Sequence, residues 1–268
     1  MTDASNQERH SSTGSSNEKV LILTPVKNAS AHLDRYFECL AQLDYPRELI
    51  SLGLLEGDSR DGTYEKLQAL LPSLRQRYAR VMLWKKDYGL QTPAGLRRWS
   101  PVFQIPRRQI LARVRNHLLF RSLADEAWVL WLDVDVIEYP SSLLRTLIAT
   151  EREIVHPHCV QTYGGPTFDL NAWCDQGRVH MDDLRGGADL VRLDTVGGTV
   201  LLVRADLHRD GLIFPPFLYG RAHPAVRRPG PWGEGNSGEI ETEGFGLMAA
   251  DMGYRCWGMP NLEVLHSK

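Results

Sequence analysis

Between Val20 and Val155 short apolar runs alternate with helical stripes. Val20–Thr24 is a run of strand formers closed by Pro25, and Leu33, Tyr36, Phe37, Leu40 and Leu43 then recur at helical spacing as far as Tyr45-Pro46. A second predicted strand, Ile50–Leu55, runs into Glu56-Gly57-Asp58-Ser59. After Asp61-Gly62-Thr63 comes a helix bearing Leu67, Leu70, Leu71 and Leu74, and Arg80–Trp84 is a third strand. Residues 85–105 mix Pro, Gly and aromatics without a period and read as a loop. Arg107–Leu123 is a predicted helix striped by Ile110, Leu111, Val114, Leu118 and Leu119. Ala127–Leu132 is unbroken apolar sequence, as a central strand covered on both faces requires. A helix over Ser141–Ala149 and a strand at Ile154-Val155 follow. This order predicts an α/β protein: a doubly wound, mostly parallel sheet with helices on both faces (Rossmann-like), in a single domain. Its ligands would gather at the carboxyl ends of the strands.

The remainder is less regular. Gln161–Arg185 is polar, aromatic and Gly-rich, which suits a substrate-facing surface. Thr199–Val203 reads as a strand introduced by Gly197-Gly198, and residues 221–238 are dense in Gly and Pro and read as a mobile loop. A helix over Glu239–Met252 and a strand over Leu262–Leu265 bring the chain to His266.

Charge and composition narrow the function. The 268 residues carry 31 basic and 33 acidic side chains, a net charge of −2, which argues against a nucleic-acid binder or a polybasic membrane anchor. No stretch approaches the roughly 18 apolar residues of a membrane span. Residues 1–18 lack the apolar centre of a secretory signal and read as a disordered polar tail. Cys39, Cys159, Cys174 and Cys256 stand far apart with no CxxC, as expected of reduced thiols in the cytoplasm.

The candidate chemistry sits at the strand ends. Asp133-Val134-Asp135 follows the most apolar strand, and residues two apart on a strand point the same way, so both carboxylates meet at its carboxyl end. Two such charges repel unless compensated, and a hard divalent cation shared with phosphate oxygens compensates them well. Asp58, at the end of the second strand, is expected to accept from a ribose hydroxyl or a base, whereas Asp61 or Ser59 caps the next helix. Thr24, Pro25 and Lys27 form a third strand-end loop facing a nucleotide. The helix over 107–123 offers Arg107, Arg108, Arg113, Arg115 and Asn116. Of these, Arg113 and Asn116 lie three apart, share a face and suit a diphosphate. Glu239, Glu241 and Glu243 open a helix, where the dipole favours acids, and three acids exceed what capping needs. His156-Pro157-His158 is a weak metal pair. There is no GxSxG, Walker A loop, GxGxxG or HExxH.

Taken in order, LILTPVKN, LLEGDSRDGT, RRQILARVRN, WVLWLDVDV, FDLNAW, VGGTVLLVRADLHRDG, ETEGFGLMA and MPNLEVLH resemble the Anp1/Mnn9-type mannosyltransferases. The resemblance runs from Lys19 to His266 and implies a single GT-A glycosyltransferase domain over residues 19–268. Residues 19–136 would form its nucleotide-binding half, and residues 137–268 the half that meets the acceptor and completes the metal site. The resemblance also implies GDP-mannose as donor, Mn²⁺ or Mg²⁺ as cofactor, and transfer with retention to a glycan or other hydroxyl acceptor. Asp133, Asp135 and His266 would then hold the metal, and Asp133 the donor as well. Thr24, Pro25, Lys27, Asp58, Arg113, Asn116, Gly197 and Gly198 would bind the donor. Glu241, Glu243 and Arg113 would act in catalysis. Asp169 and Asn171 would line the sugar region and, with Trp173 and Trp232, face the acceptor, with Tyr163 and Phe168 offering further rings. A homo- or hetero-oligomer is implied too, because members of the family form complexes. Two alternatives stand beside this reading: a non-catalytic donor-binding subunit, and an inverting GT-A transferase using another nucleotide sugar. Fungal members carry a membrane anchor where this chain has its polar tail, so the expected location is the cytoplasm.

Overall fold

The central strands are buried on both faces, and this two-sided burial organises the molecule. Along β1 (Val20–Val26), Val20 and Ile22 enter one core and Leu21 and Leu23 the other. β4 (Trp128–Leu132) does the same, with Leu130 and Leu132 opposed to Val129 and Trp131. The computed structural model describes residues 18–90, 100–220 and 238–268. The polar tail up to residue 17 and the Gly/Pro loop over 221–237, with Trp232, lie outside the described residues.

The other elements are α1 (Leu33–Ala41), β2 (Ile50–Glu56), α2 (Thr63–Arg75), β3 (Arg80–Lys85), α3 (Pro101–Ser122), β5 (Val136–Glu138), α4 (Leu143–Ile148) and β6 (Ile154–Val160). After them come β7 (Trp173–Cys174), β8 (Val179–His180), β9 (Val191–Leu193), β10 (Val200–Arg204), α5 (Ala205–Arg209), α6 (Glu241–Asp251) and β11 (Cys256–His266). The main sheet has the order β3-β2-β1-β4-β10-β6-β11-β5, with β9 added against β11, and β7 and β8 form a small separate hairpin. β3, β2, β1 and β4 are parallel, as are β6 and β11. β10 runs antiparallel between β4 and β6. The expected α/β architecture is present as a mixed, largely parallel sheet. One core is capped by residues of α1, α2 and α4, the other by residues of α3 and α6, with Trp131, Phe214 and Phe245 packed edge-to-face and stacked.

Three elements exceed their sequence signals. α3 begins at Pro101, inside the stretch expected to be a loop, and runs through Pro106. Proline is at home in a first turn, and a second one five residues on costs a backbone bond that the long helix absorbs. β6 continues through His156-Pro157-His158, with Pro157 opposite Met259 of β11, beyond the point where β10 pairs with it. One ring nitrogen of each histidine already serves a carbonyl: His156 Nδ1 lies 2.7 Å from Val200 O and His158 Nδ1 3.1 Å from Pro260 O. β11 is a long strand broken by a register shift between Met259 and Glu263, so only its last residues look regular in the sequence. All four cysteines are free. No described helix is long and apolar enough to cross a membrane.

Candidate active site

A cleft of about 760 Å³ opens at the carboxyl ends of β1, β2 and β4 and is closed by α3 and the start of α6. Asp133 and Asp135 leave β4 at its floor. The Asp133 N–H donates to Thr199 O (2.8 Å), which brings the Gly197-Gly198-Thr199 turn against the acid pair. Opposite, the last residue of β11, His266, places Nε2 3.1 Å from Asp135 Oδ1, and Phe168 stacks on its imidazole at 4.0 Å. The two acids have different partners: Asp133 Oδ1 lies 3.4 Å from Arg115 Nη2, while Asp135 faces His266.

Their protonation differs accordingly. Burial, aided by the charges of Asp135 and Asp169 and only partly offset by Arg115, pushes the Asp133 carboxyl up to about 7. Burial also works against the charge on Asp135, but the His266 hydrogen bond and charge outweigh it and hold the carboxyl below its ordinary value. Desolvation likewise opposes the charge on His266, and the bond to Asp135 still raises that imidazole above the usual histidine range.

Two carboxylates and an imidazole form an oxygen-and-nitrogen donor set that Mn²⁺ or Mg²⁺ accepts. Among the described residues no three such side chains already converge on one point. A cation would draw Asp133 from Arg115 and replace the proton shared by Asp135 and His266. The donor chemistry therefore fits the ion, and the side chains reach it by giving up interactions they make with one another.

The cleft's far wall is a buried ionic lattice. Arg108 donates to Glu243 Oε2 (2.6 Å), to the Ile240 carbonyl (2.8 Å) and to Glu241 Oε2 (3.4 Å). Arg115 pairs with Glu241 Oε1 and also donates to the Gly198 carbonyl (3.1 Å). The Trp173 indole donates to Glu243 Oε1 (2.7 Å). Burial opposes the charge on Arg108, yet Glu243 and Glu241 raise its pKa above the ordinary value. Glu241 carries the lattice at a backbone cost, since its φ is +58°, a left-handed conformation that a glutamate seldom adopts. Asp169 anchors the next turn. Its Oδ2 accepts from Gly198 N (2.8 Å), Thr199 N (3.1 Å) and Thr199 Oγ1 (3.1 Å). A Cβ on Gly197 would fall 2.1 Å from Asp169 Oδ2, and one on Gly198 2.3 Å from Arg115 Nη2. These two glycines thus serve the site by making room for Asp169 and Arg115.

Pro25, Lys27, Asp58, Asp133, Asp135, Asp169, Asn171, Gly198, Glu241, Glu243 and His266 all line the cleft. Five expected residues lie elsewhere, the first being Gly197, which packs against Asp169 without lining the cleft. Thr24 is buried, with its hydroxyl against Tyr36. Asn116 spends its amide on the backbone N–H and carbonyl of Phe214. Trp173 is buried behind Glu243. Arg113 is exposed on another face of α3. Arg108 and Arg115, seven residues apart, return to nearly one helical face, whereas Arg113 is about 140° away from Arg108. Arg108 and Arg115 were offered by the sequence but passed over for Arg113 and Asn116, and the seven-residue spacing opposite an acid-rich helix start was the signal that could have singled them out.

Asp58 also departs from expectation. Its φ is +59°, and its carboxylate accepts from the backbone N–H groups of Tyr88 (3.0 Å), Gly89 (3.0 Å) and Leu90 (3.2 Å). It folds the 88–90 loop onto the cleft, where Lys27 reaches the Leu90 carbonyl. The acid expected to stay open for a ribose instead builds the wall a nucleoside would meet. Asp61, as expected, accepts from the Thr63 N–H (3.2 Å) at the start of α2.

Comparison with known proteins bears on this geometry. The chain matches the Anp1 family over residues 1–184 and 175–218. It is 33% identical to the mannan polymerase complex subunit mnn9 of Schizosaccharomyces pombe, over 93% of this chain and 80% of that protein. The chain belongs to the Anp1 family. A second relative, the mannan polymerase II complex anp1 subunit of the same yeast, is 28% identical over 93% of this chain and 64% of its own length. The Anp1-family chain also resembles the Pyrobaculum calidifontis mannosyltransferase PcManGT, solved in complex with GDP-Man and Mn²⁺. The TM-score there is 0.58 and the identity 15%, over 94% of this chain and 58% of that one. GalNAc-T7, solved with UDP, GalNAc and Mn²⁺, aligns with a TM-score of 0.56 at 13% identity, over 95% of this chain and 45% of its own. At such identities these two structures speak for the fold, which is that of the GT-A glycosyltransferases.

Proposed function

We propose that this Anp1-family chain is a metal-dependent, retaining mannosyltransferase that moves mannose from GDP-mannose to a hydroxyl of a glycan acceptor. The observation that carries this reading is the acid pair Asp133/Asp135 at the end of β4. It faces His266 on one side and the buried cation Arg115 on the other, at the floor of a cleft sized for a nucleotide sugar. The names of the yeast relatives and of PcManGT support mannose as the sugar.

Asp133, Asp135 and His266 would hold the cation, which when bound would screen the charge developing on the leaving diphosphate. Arg115 lies beside Asp133 and adds a fixed positive charge without reorganising. Pro25, Lys27 and the 88–90 loop held by Asp58 line the nucleoside end, and Asp169 and Asn171 the sugar end. Glu241 and Glu243 are engaged by Arg108, Arg115 and Trp173, so neither is presented as a nucleophile. The reading therefore favours attack by the acceptor oxygen on the face of the departing group. The new C–O bond forms at the anomeric carbon as the bond to the β-phosphate oxygen breaks, and that oxygen takes the acceptor's proton. Glu241 and Glu243 hold the arginine wall that positions this exchange. Because the yeast relatives are named as complex subunits, we place the chain in a hetero-oligomer as well.

Calorimetric titration of GDP and UDP, with and without Mn²⁺, tests the donor. GDP should bind only with the cation and more tightly than UDP, and absence of metal-dependent nucleotide binding would sink the proposal. The anomeric configuration of the product, read by NMR, separates retention from inversion. Donor hydrolysis by the isolated chain separates an enzyme from a donor-binding subunit.

A further inference from the structure

A second groove, of about 640 Å³, lies outside the cleft where β5, the start of the 161–185 segment and the bulge of β11 meet. Its walls combine an exposed aromatic ring with planar polar groups. Tyr163 is 50% exposed and points its hydroxyl at Glu138 Oε1 (3.0 Å). On the other wall Glu263 accepts from the Gly164 N–H (2.9 Å) and lies 2.7 Å from Arg185, which also donates to the Gly165 carbonyl (2.7 Å). Behind them the Tyr139 hydroxyl and Arg185 Nε are shielded from solvent and have no hydrogen-bond partner among the described residues. The bulge allows this arrangement, because the register shift after Met259 turns Asn261 outward to hold the Gly186 N–H (2.8 Å). An open ring face beside fixed carboxylate and guanidinium groups matches the two sides of a pyranose, one apolar and one lined with vicinal hydroxyls. A phosphorylated or acidic ligand would meet Glu138 and Glu263.

The groove is joined to the candidate active site through the backbone. Glu138 is three residues beyond Asp135, about 10 Å along an extended chain. On the paired strand it lies opposite Leu265, next to His266. The Gln161 side chain donates to the Ser267 carbonyl (3.1 Å), and the Ser267 N–H donates to the Asp135 carbonyl (2.9 Å). We propose that this groove is a distal acceptor subsite, holding a neutral sugar unit of an oligosaccharide whose reacting end lies at Asp135 and His266. The proposal rests on the transferase reading for its reacting end, and it adds where the rest of the acceptor is held.

The test is titration of the full chain, without donor or cation, with an α-linked mannotriose and with methyl α-mannoside, followed by saturation-transfer NMR. The triose should bind at least fivefold more tightly than the monosaccharide. Tyr163→Ala should remove that advantage, Tyr163→Phe should keep most of it, and both variants should melt as the parent does. Equal binding of the triose by parent and Tyr163→Ala, or no measurable binding, overturns the subsite. GDP titration with Mn²⁺ on the same samples keeps the two ideas apart. Nucleotide bound without triose removes the subsite alone, and triose bound without nucleotide removes the transferase reading but supports a saccharide groove.

Discussion

Two clusters of charge share the cleft and are built on opposite terms. In the lattice of Arg108, Arg115, Glu241 and Glu243, buried acids meet buried cations, and Trp173 and backbone carbonyls take up further valences. In the cluster of Asp133, Asp135 and His266, two acids at one strand end have, among the described residues, a single imidazole and one long contact to Arg115. Compensation inside the protein makes the first a frame. Incomplete compensation makes the second a place where an outside charge is welcome. The same residue types thus do different work according to how much of their field is already answered.

Neutralising one acid in each cluster should break this contrast most sharply. Glu241→Ala leaves Arg108 and Arg115 buried without their shared partner, and removing one member of a buried pair costs about 3–5 kcal/mol. We expect a fall of roughly 10 °C in Tm, read by calorimetry, and an unchanged Tm would show that the lattice is not the frame.

Asp133→Asn should do the reverse. It removes a candidate metal ligand and should lower transfer by about 10²-fold or more. It should also raise Tm at pH 8. The Asp133 carboxyl is raised in the folded chain, to about 7 from an ordinary 3.8. Its contribution to stability is therefore complete below the unfolded value and is lost as pH rises through 7. Activity and Tm falling together would refute the distinction.

The third effect is smaller and concerns pH. Protons compete with a cation for both Asp133 and the raised imidazole of His266, so apparent Mn²⁺ affinity should fall more than tenfold per unit below pH 7, approaching about a hundredfold. It should keep rising above pH 7 until the raised imidazole of His266 is deprotonated. A flat affinity between pH 5.5 and 8, measured by Mn²⁺ electron paramagnetic resonance, would argue that Asp133 is not a ligand.

The smallest effect belongs to Asp58→Ala. Loss of three bonds to the 88–90 backbone should loosen the nucleoside wall and weaken GDP several-fold, with faster amide exchange at Tyr88, Gly89 and Leu90. Weakened GDP without faster exchange would return Asp58 to direct contact with the nucleotide.

Much of the frame was legible in the residues. Unbroken apolar runs announced strands buried on both sides, and the strand that ends in Asp133-Val134-Asp135 declared its carboxylates by position. His266 was different: a lone histidine near a chain end is mute by pattern, and the family resemblance supplied its place. The errors have physical sources. Pro106 hid the first turns of α3 and Pro157 hid most of β6, because local propensity is overridden when neighbouring elements supply the packing. Arg113 and Asn116 were chosen for their mutual spacing, whereas the face that lines the cleft is fixed by α6, which is far away in sequence. The bonds of Asp58 to the 88–90 loop were invisible because its partners are backbone amides, and backbone donors leave no trace in residue identity.

Glu241 has a consequence for how this chain can change over time. A residue held at φ +58° is one where glycine would relax the backbone, yet glycine would abandon two guanidinium groups. No single replacement satisfies both demands. Positions 108, 115 and 241 are therefore expected to vary as one unit across related chains, either retained together or exchanged together for an uncharged wall. The two arginines of α3 and the first residue of α6 would then be inherited as one character.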